Sequence, residues 1–95
     1  MIPASRRPRD LVRNWPTGPA TTAAAEYCRL VAVALERELI ERGLSLRQLA
    51  LAAGLSHRTL GYILEGATVP DLGTLAAVEE ALGVELLPSG RVGAQ

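Results

Sequence analysis

The sequence predicts a small all-α domain of four to five helices, with room for one short strand at the C-terminal end. Three observations predict it. Apolar content is carried by Ala, Leu and Val, with no Phe and 3% aromatic residues, a composition that suits closely packed helices better than sheets. Tyr27, Leu30, Val31, Ala34, Leu35 and Leu39 recur at three- and four-residue spacing, the period of one helix face. Each later apolar segment opens on Ser or Asp and closes on Gly: Ser45 to Gly54, Ser56 to Gly66, Asp71 to Gly83. Those are the residues that cap helix starts and ends. A chain of 95 residues makes one domain, divided here into an arm (1–19), a helical domain (20–87) and a tail (88–95).

The arm holds Pro3, Pro8, Pro16, Pro19 and Gly18, which exclude a long helix. Asp10 to Trp15 has room for one helical turn whose Leu11, Val12 and Trp15 can dock on the domain or on a partner; the alternative is a mobile tail. Thr21 or Thr22 caps a first helix that reaches about Arg42 and ends at Gly43. Cys28 and Val33 lie off its apolar stripe, so this helix is expected to bury a second face, against the arm or another subunit. Ser45 and Gln48 form a capping box for the second helix, whose Leu46, Leu49, Ala50 and Ala53 supply the apolar face. Gly54 permits a sharp turn, and Ser56 caps the third helix, about His57 to Leu64. There Leu60, Ile63 and Leu64 point inward, leaving His57, Arg58, Gly61 and Tyr62 outside. Asp71 caps a fourth helix through Leu82, with Leu72, Leu75, Val78 and Leu82 inward. Val84, Leu86 and Leu87 could form the short strand, before a turn at Pro88 and Gly90.

Net charge is zero, but it is unevenly spread: residues 1–19 carry +3, residues 20–43 carry −1 and residues 44–95 carry −2. All ten basic residues are Arg, which favours bidentate recognition over diffuse attraction. Only the arm is clearly basic, which argues against strong non-specific affinity for nucleic acid. No apolar run approaches the roughly 20 residues that span a bilayer, and the N-terminus does not read as a secretory signal. Cys28 stands alone, so no internal disulfide or cysteine metal cluster is expected, and a reducing cytoplasm is the simplest location. Parts for catalysis are missing. His57 is the only histidine and has no adjacent nucleophile; Glu79 and Glu80 diverge on their helix; no phosphate-binding glycine loop or metal spacing occurs. No enzyme activity and no cofactor or metal is expected.

The ordered set Arg42-Gly43-Leu44-Ser45, Leu49-Ala50, Gly54-Leu55-Ser56, Thr59-Leu60, Ile63, Gly66, Pro70, Leu72, Thr74-Leu75 and Ala81-Leu82-Gly83-Val84 resembles the phage-repressor and Cro-type helix-turn-helix domain, the XRE family. The resemblance covers about residues 30–86 without an insertion. It implies a lambda-repressor-like fold whose third helix lies in the major groove of DNA. It assigns His57, Arg58 and Tyr62 as base readers, with Arg58 suited to a bidentate bond to guanine. The first amides of the second helix, at Leu46 and Arg47, would face a phosphate, with Thr59 and Thr68 as weaker phosphate contacts.

Three departures from the family pattern qualify this. Many members carry Gln at the position of Leu46, where it contacts phosphate and base, and Lys or Arg in the loop that here reads Ala67-Thr68-Val69. Both losses thin the backbone anchoring, so the arm's Arg6, Arg7, Arg9 and Arg13 would have to supply it from an adjacent groove. Members also often pair an Arg of the first helix with a Glu near the end of the third; here Leu39 and Leu64 occupy those positions, and an apolar contact between them is expected. The resemblance implies a cytoplasmic transcriptional regulator of repressor type in a bacterium or phage. It would be a homodimer on a palindromic operator, joined through Val84–Val92 and the outer face of the first helix. Two other readings stand beside it: an antitoxin that binds its own operator and holds a toxin with the Trp15-bearing arm, and a protein-interaction module that has lost DNA affinity.

Overall fold

The computed structural model describes residues 7–87; Arg6 and the tail 88–95 lie outside the described residues. Four α-helices follow a short 3-10 turn at Pro8–Leu11: α1 (Ala23–Arg42), α2 (Leu46–Ala53), α3 (His57–Glu65) and α4 (Leu72–Leu82). The architecture is all-α, and no strand occurs among the described residues. Each helix starts where a side chain can take over an orphan amide. Thr22 accepts from the Ala25 amide, Ser45 from Gln48, Ser56 from Thr59 and Asp71 from Thr74. Such caps contribute about 1 kcal/mol each. At Ser45 the box is reciprocal: the Gln48 side chain accepts from the Ser45 amide at 2.8 Å. The Thr74 amide also holds the Asp71 carboxyl below the usual carboxylate range.

The core joins all four helices. Val31, Leu35 and Leu39 of α1 meet Leu49 and Ala50 of α2, Leu60 and Ile63 of α3, and Leu75, Val78 and Leu82 of α4, with Leu86 beyond. The buried face of α1 is wider than its sequence stripe. Cys28 and Ala32 are buried, whereas Tyr27 and Leu30 are half-buried at its edge. Cys28 lines a groove shared with Leu75 of α4 and Leu87, and a second, smaller core forms where Ala25 packs with Leu11 and Val12, with Trp15 and Ala20 closing around them. Burial raises the Cys28 thiol pKa.

The arm is therefore part of the packed structure from residue 7 onward. Its helical turn begins at Pro8 rather than at Asp10, because proline is well placed at a first helical position. The Asp10 carboxylate accepts from both the amide and the guanidinium of Arg7, at 3.0 and 3.2 Å. That pairing lowers the Asp10 pKa and raises that of Arg7. An isolated antiparallel bridge joins Val12 to Ala20, and the Thr21 amide donates to the Leu11 carbonyl at 2.9 Å.

The expected C-terminal strand does not form within the described residues. The Leu86 and Leu87 amides, which a sheet would need, donate instead to one carboxylate oxygen of Glu79, at 2.7 and 3.2 Å. A strand also needs an extended partner, and no strand occurs among the described residues to supply one. Among the described residues no helix is long and apolar enough to cross a membrane.

Candidate nucleic-acid interface

Helix α3 has nine residues, so it is about 13 Å long. Leu60 and Ile63 are buried against the core, which turns the opposite side outward. His57, Arg58 and Tyr62 are exposed there, Tyr62 at 44%. The structure thus brings the three expected readers to one solvent-facing side of one helix. Gly61 between them has open space where a side chain would stand, so the backbone itself can approach a ligand closely.

Helix α2 stands beside this face. A shallow cleft of about 240 Å³ between the two helices is lined by Arg47, Leu51, Leu55, Ser56 and His57 among others, so Arg47 and His57 border the same depression. The α2 cap engages the Gln48 amide, and the Leu49 amide donates to the Ser45 carbonyl. The amides of Leu46 and Arg47 remain free of partners among the described residues. They sit at the positive end of the helix dipole, where an anion is favoured. The Leu46 side chain is half-buried against the core and adds no polar group. Thr59 is half-buried, with its hydroxyl 3.0 Å from that of Ser56, so it serves the cap. Thr68 is exposed in the loop after α3.

Among the described residues, ion pairs join Arg7 to Asp10, Arg29 to Glu26 and Arg42 to Glu38. Arg47 and Arg58 take part in none of these and face solvent. The arm's arginines are placed differently. Arg7 is held by Asp10, and Arg9 reaches back to the Glu65 carbonyl at 3.4 Å. Arg13 is exposed. The arm meets the last turn of α3, the end away from His57 and Arg58. Leu39 is buried in the core and Leu64 packs against the same core from its edge.

Two features escaped sequence reasoning. Leu51 is 85% exposed at the rim of the α2–α3 cleft; its position off the Leu46–Leu49–Ala50–Ala53 stripe was the available signal. The hold of the arm on α3 had none, because it joins residues about fifty positions apart through backbone carbonyls.

A family model described as helix-turn-helix matches residues 33–88, more than half of the chain. It begins midway along α1 and leaves out the arm. No curated protein and no solved structure matches the chain. The fold is that of DNA-binding transcriptional regulators. With the four-helix architecture, the α2–turn–α3 geometry and this match, the chain belongs to the Cro/C1-type helix-turn-helix family.

Proposed function

We propose that this protein binds double-stranded DNA in a sequence-specific manner, as a repressor-type transcriptional regulator acting as a homodimer on a palindromic operator. The observation that carries the reading is Arg58: an exposed arginine in the first turn of α3, outside the ion pairs of the described residues, flanked by His57 and Tyr62. An arginine so placed can offer two parallel donors to the O6 and N7 of a guanine. His57 and Tyr62 read neighbouring positions. The free amides of Leu46 and Arg47 hold a phosphate, which sets register without reading sequence.

Anchoring to the backbone is thin. Arg7 and Arg9 are engaged with protein groups, so within the described arm Arg13 is the arginine best able to reach a phosphate. Thr68 contributes from the loop, while the Thr59 hydroxyl stays with its cap. A dimer offsets this by doubling the contacts on two half-sites. The second copy is favoured by an apolar groove of about 390 Å³ between α1 and α4, whose wall includes Tyr27, Leu72 and Leu87. Leu87 belongs to the Val84–Val92 segment expected to join the two copies.

The reading is tested by Arg58→Ala on a duplex bound by the wild-type chain. Affinity should fall by about 1–3 kcal/mol, with discrimination lost at one base position. Unchanged binding and unchanged discrimination would remove Arg58 from the interface.

A further inference from the structure

We propose that residues 8–21 form a strap that fixes the orientation of α3, and that Trp15 is a positioning residue for the face bearing His57, Arg58 and Tyr62. The proposal deepens the DNA-binding reading and, for its effect on recognition, rests on it.

A helix leaves its last carbonyls without partners inside the helix. In α3 the loop supplies two of the donors itself: the Gly66 amide donates to Ile63 O and the Ala67 amide to Tyr62 O. The next three carbonyls are taken by the arm. The Trp15 indole N–H donates to Leu64 O at 2.8 Å. The Arg9 guanidinium donates to Glu65 O at 3.4 Å, and the Arg9 amide donates to Gly66 O at 3.0 Å. The indole ring also lies flush on Gly66: a Cβ there would stand 2.7–2.8 Å from three ring atoms. Both a hydrogen bond and a steric stop therefore fix the end of α3 against the arm.

The strap is itself anchored. Leu11 and Val12 are buried beside Ala25 of α1. Arg29 of α1 donates to Pro16 O at 3.1 Å while Glu26 holds its guanidinium at 2.7 Å. The Arg13 amide donates to Pro19 O at 3.1 Å, closing the loop that carries Trp15. Strain on α3 is thus passed to the longest helix of the domain.

This matters because α3 is short and fully buries only Leu60 and Ile63, with Leu64 packing at the edge of the core. Two buried side chains on one face leave the tilt of a helix weakly determined. From Leu64 to Arg58 is six residues, about 9 Å along the axis, so a tilt at one end displaces the readers at the other. Hydrogen bonds to bases tolerate only a few tenths of an ångström. With the Ser56 cap at the start and the strap at the end, both termini are held before any ligand arrives, which lowers the cost of ordering on binding.

The test uses the full-length chain with Trp15→Phe, which keeps an aromatic ring and removes the N–H, and Trp15→Ala. Without DNA, amide hydrogen exchange in the last turn of α3 and at Ala67 should quicken in Trp15→Phe relative to wild type, while exchange in α4 stays unchanged. On a duplex enriched from a random pool by the wild type, Trp15→Phe should weaken binding about 3- to 10-fold and lower the ratio of specific to scrambled-duplex affinity. The slope of log affinity against log salt should stay the same, since no phosphate contact is lost. Unchanged exchange in the last turn of α3 overturns the strap whether or not DNA is bound. Quickened exchange with unchanged affinity and ratio overturns the positioning role. A salt slope reduced by about one overturns it too, because Trp15's loop would then touch DNA directly. If Trp15→Ala does not fold, Trp15→Phe decides. If the wild type enriches no sequence, the DNA reading and the positioning role fail together, and the exchange comparison decides the strap alone.

Discussion

Leu60→Ala is expected to lower the free energy of unfolding by about 2–5 kcal/mol. Leu60 is 0% exposed, so its truncation removes buried apolar surface and leaves a cavity that its neighbours fill only in part. Those neighbours come from the whole core, including Leu35 of α1 and Leu49 of α2. A loss of that size is a large share of the roughly 5–15 kcal/mol that holds such a domain together. Urea denaturation is the measurement: the midpoint should fall with little change in slope. A loss below about 1 kcal/mol would mean that Leu60 is not where the fold places it.

Gly66→Ala is expected to cost about 2–4 kcal/mol, from two separable sources. Gly66 has φ +68°, a left-handed conformation that an alanine adopts at a cost of about 1–2 kcal/mol. The new Cβ would also stand 2.7 Å from the Trp15 ring, so the indole must move and give up its bond to Leu64 O. Gly43→Ala isolates the first source. Its φ is +63°, and no atom lies within 4 Å of the site of its Cβ, so it should cost only the backbone strain. The excess of the first variant over the second, measured in the same denaturation series, reports the hold of the strap. Equal costs would contradict the contact between Trp15 and Gly66.

Much of the fold was legible in the sequence, because its signals are local. Thr22, Ser45, Ser56 and Asp71 cap helices through their own neighbours three residues on, and such pairs can be read from spacing alone. The same holds for the outward face of α3, since Leu60 and Ile63 mark the inward one. The part that was not legible is long-range or backbone-mediated. Nothing in the spacing says that Trp15 reaches a carbonyl of α3, or that Leu11 and Val12 of the arm pack on Ala25. The C-terminal strand was misread for the same reason: Val84, Leu86 and Leu87 have a strand's composition, but the Glu79 carboxylate took their amides. Charge alone likewise does not show that Asp10 holds Arg7 or that Arg9 reaches Glu65 O.

The two halves of α1 divide the molecule in an informative way. The helix-turn-helix match begins at residue 33, so the C-terminal half of α1 belongs to the family core. The N-terminal half, with Ala25, Glu26 and Arg29, serves the arm. Among the described residues Arg47 and Arg58 take part in no ion pair and face solvent on α2 and α3, while in the arm Arg7 is held by Asp10 at the surface and Arg9 reaches Glu65 O. On the proposed reading, base recognition and support of α3 fall to different arginines of one small chain.

The most direct measurement is enrichment of bound duplexes from a random pool by the full-length protein at moderate salt. A palindromic sequence with a guanine in each half-site, enriched by the wild type and lost from the Arg58→Ala pool, is the predicted result. No enrichment above background at that salt would contradict sequence-specific DNA binding and leave a helix-turn-helix domain whose partner is another protein.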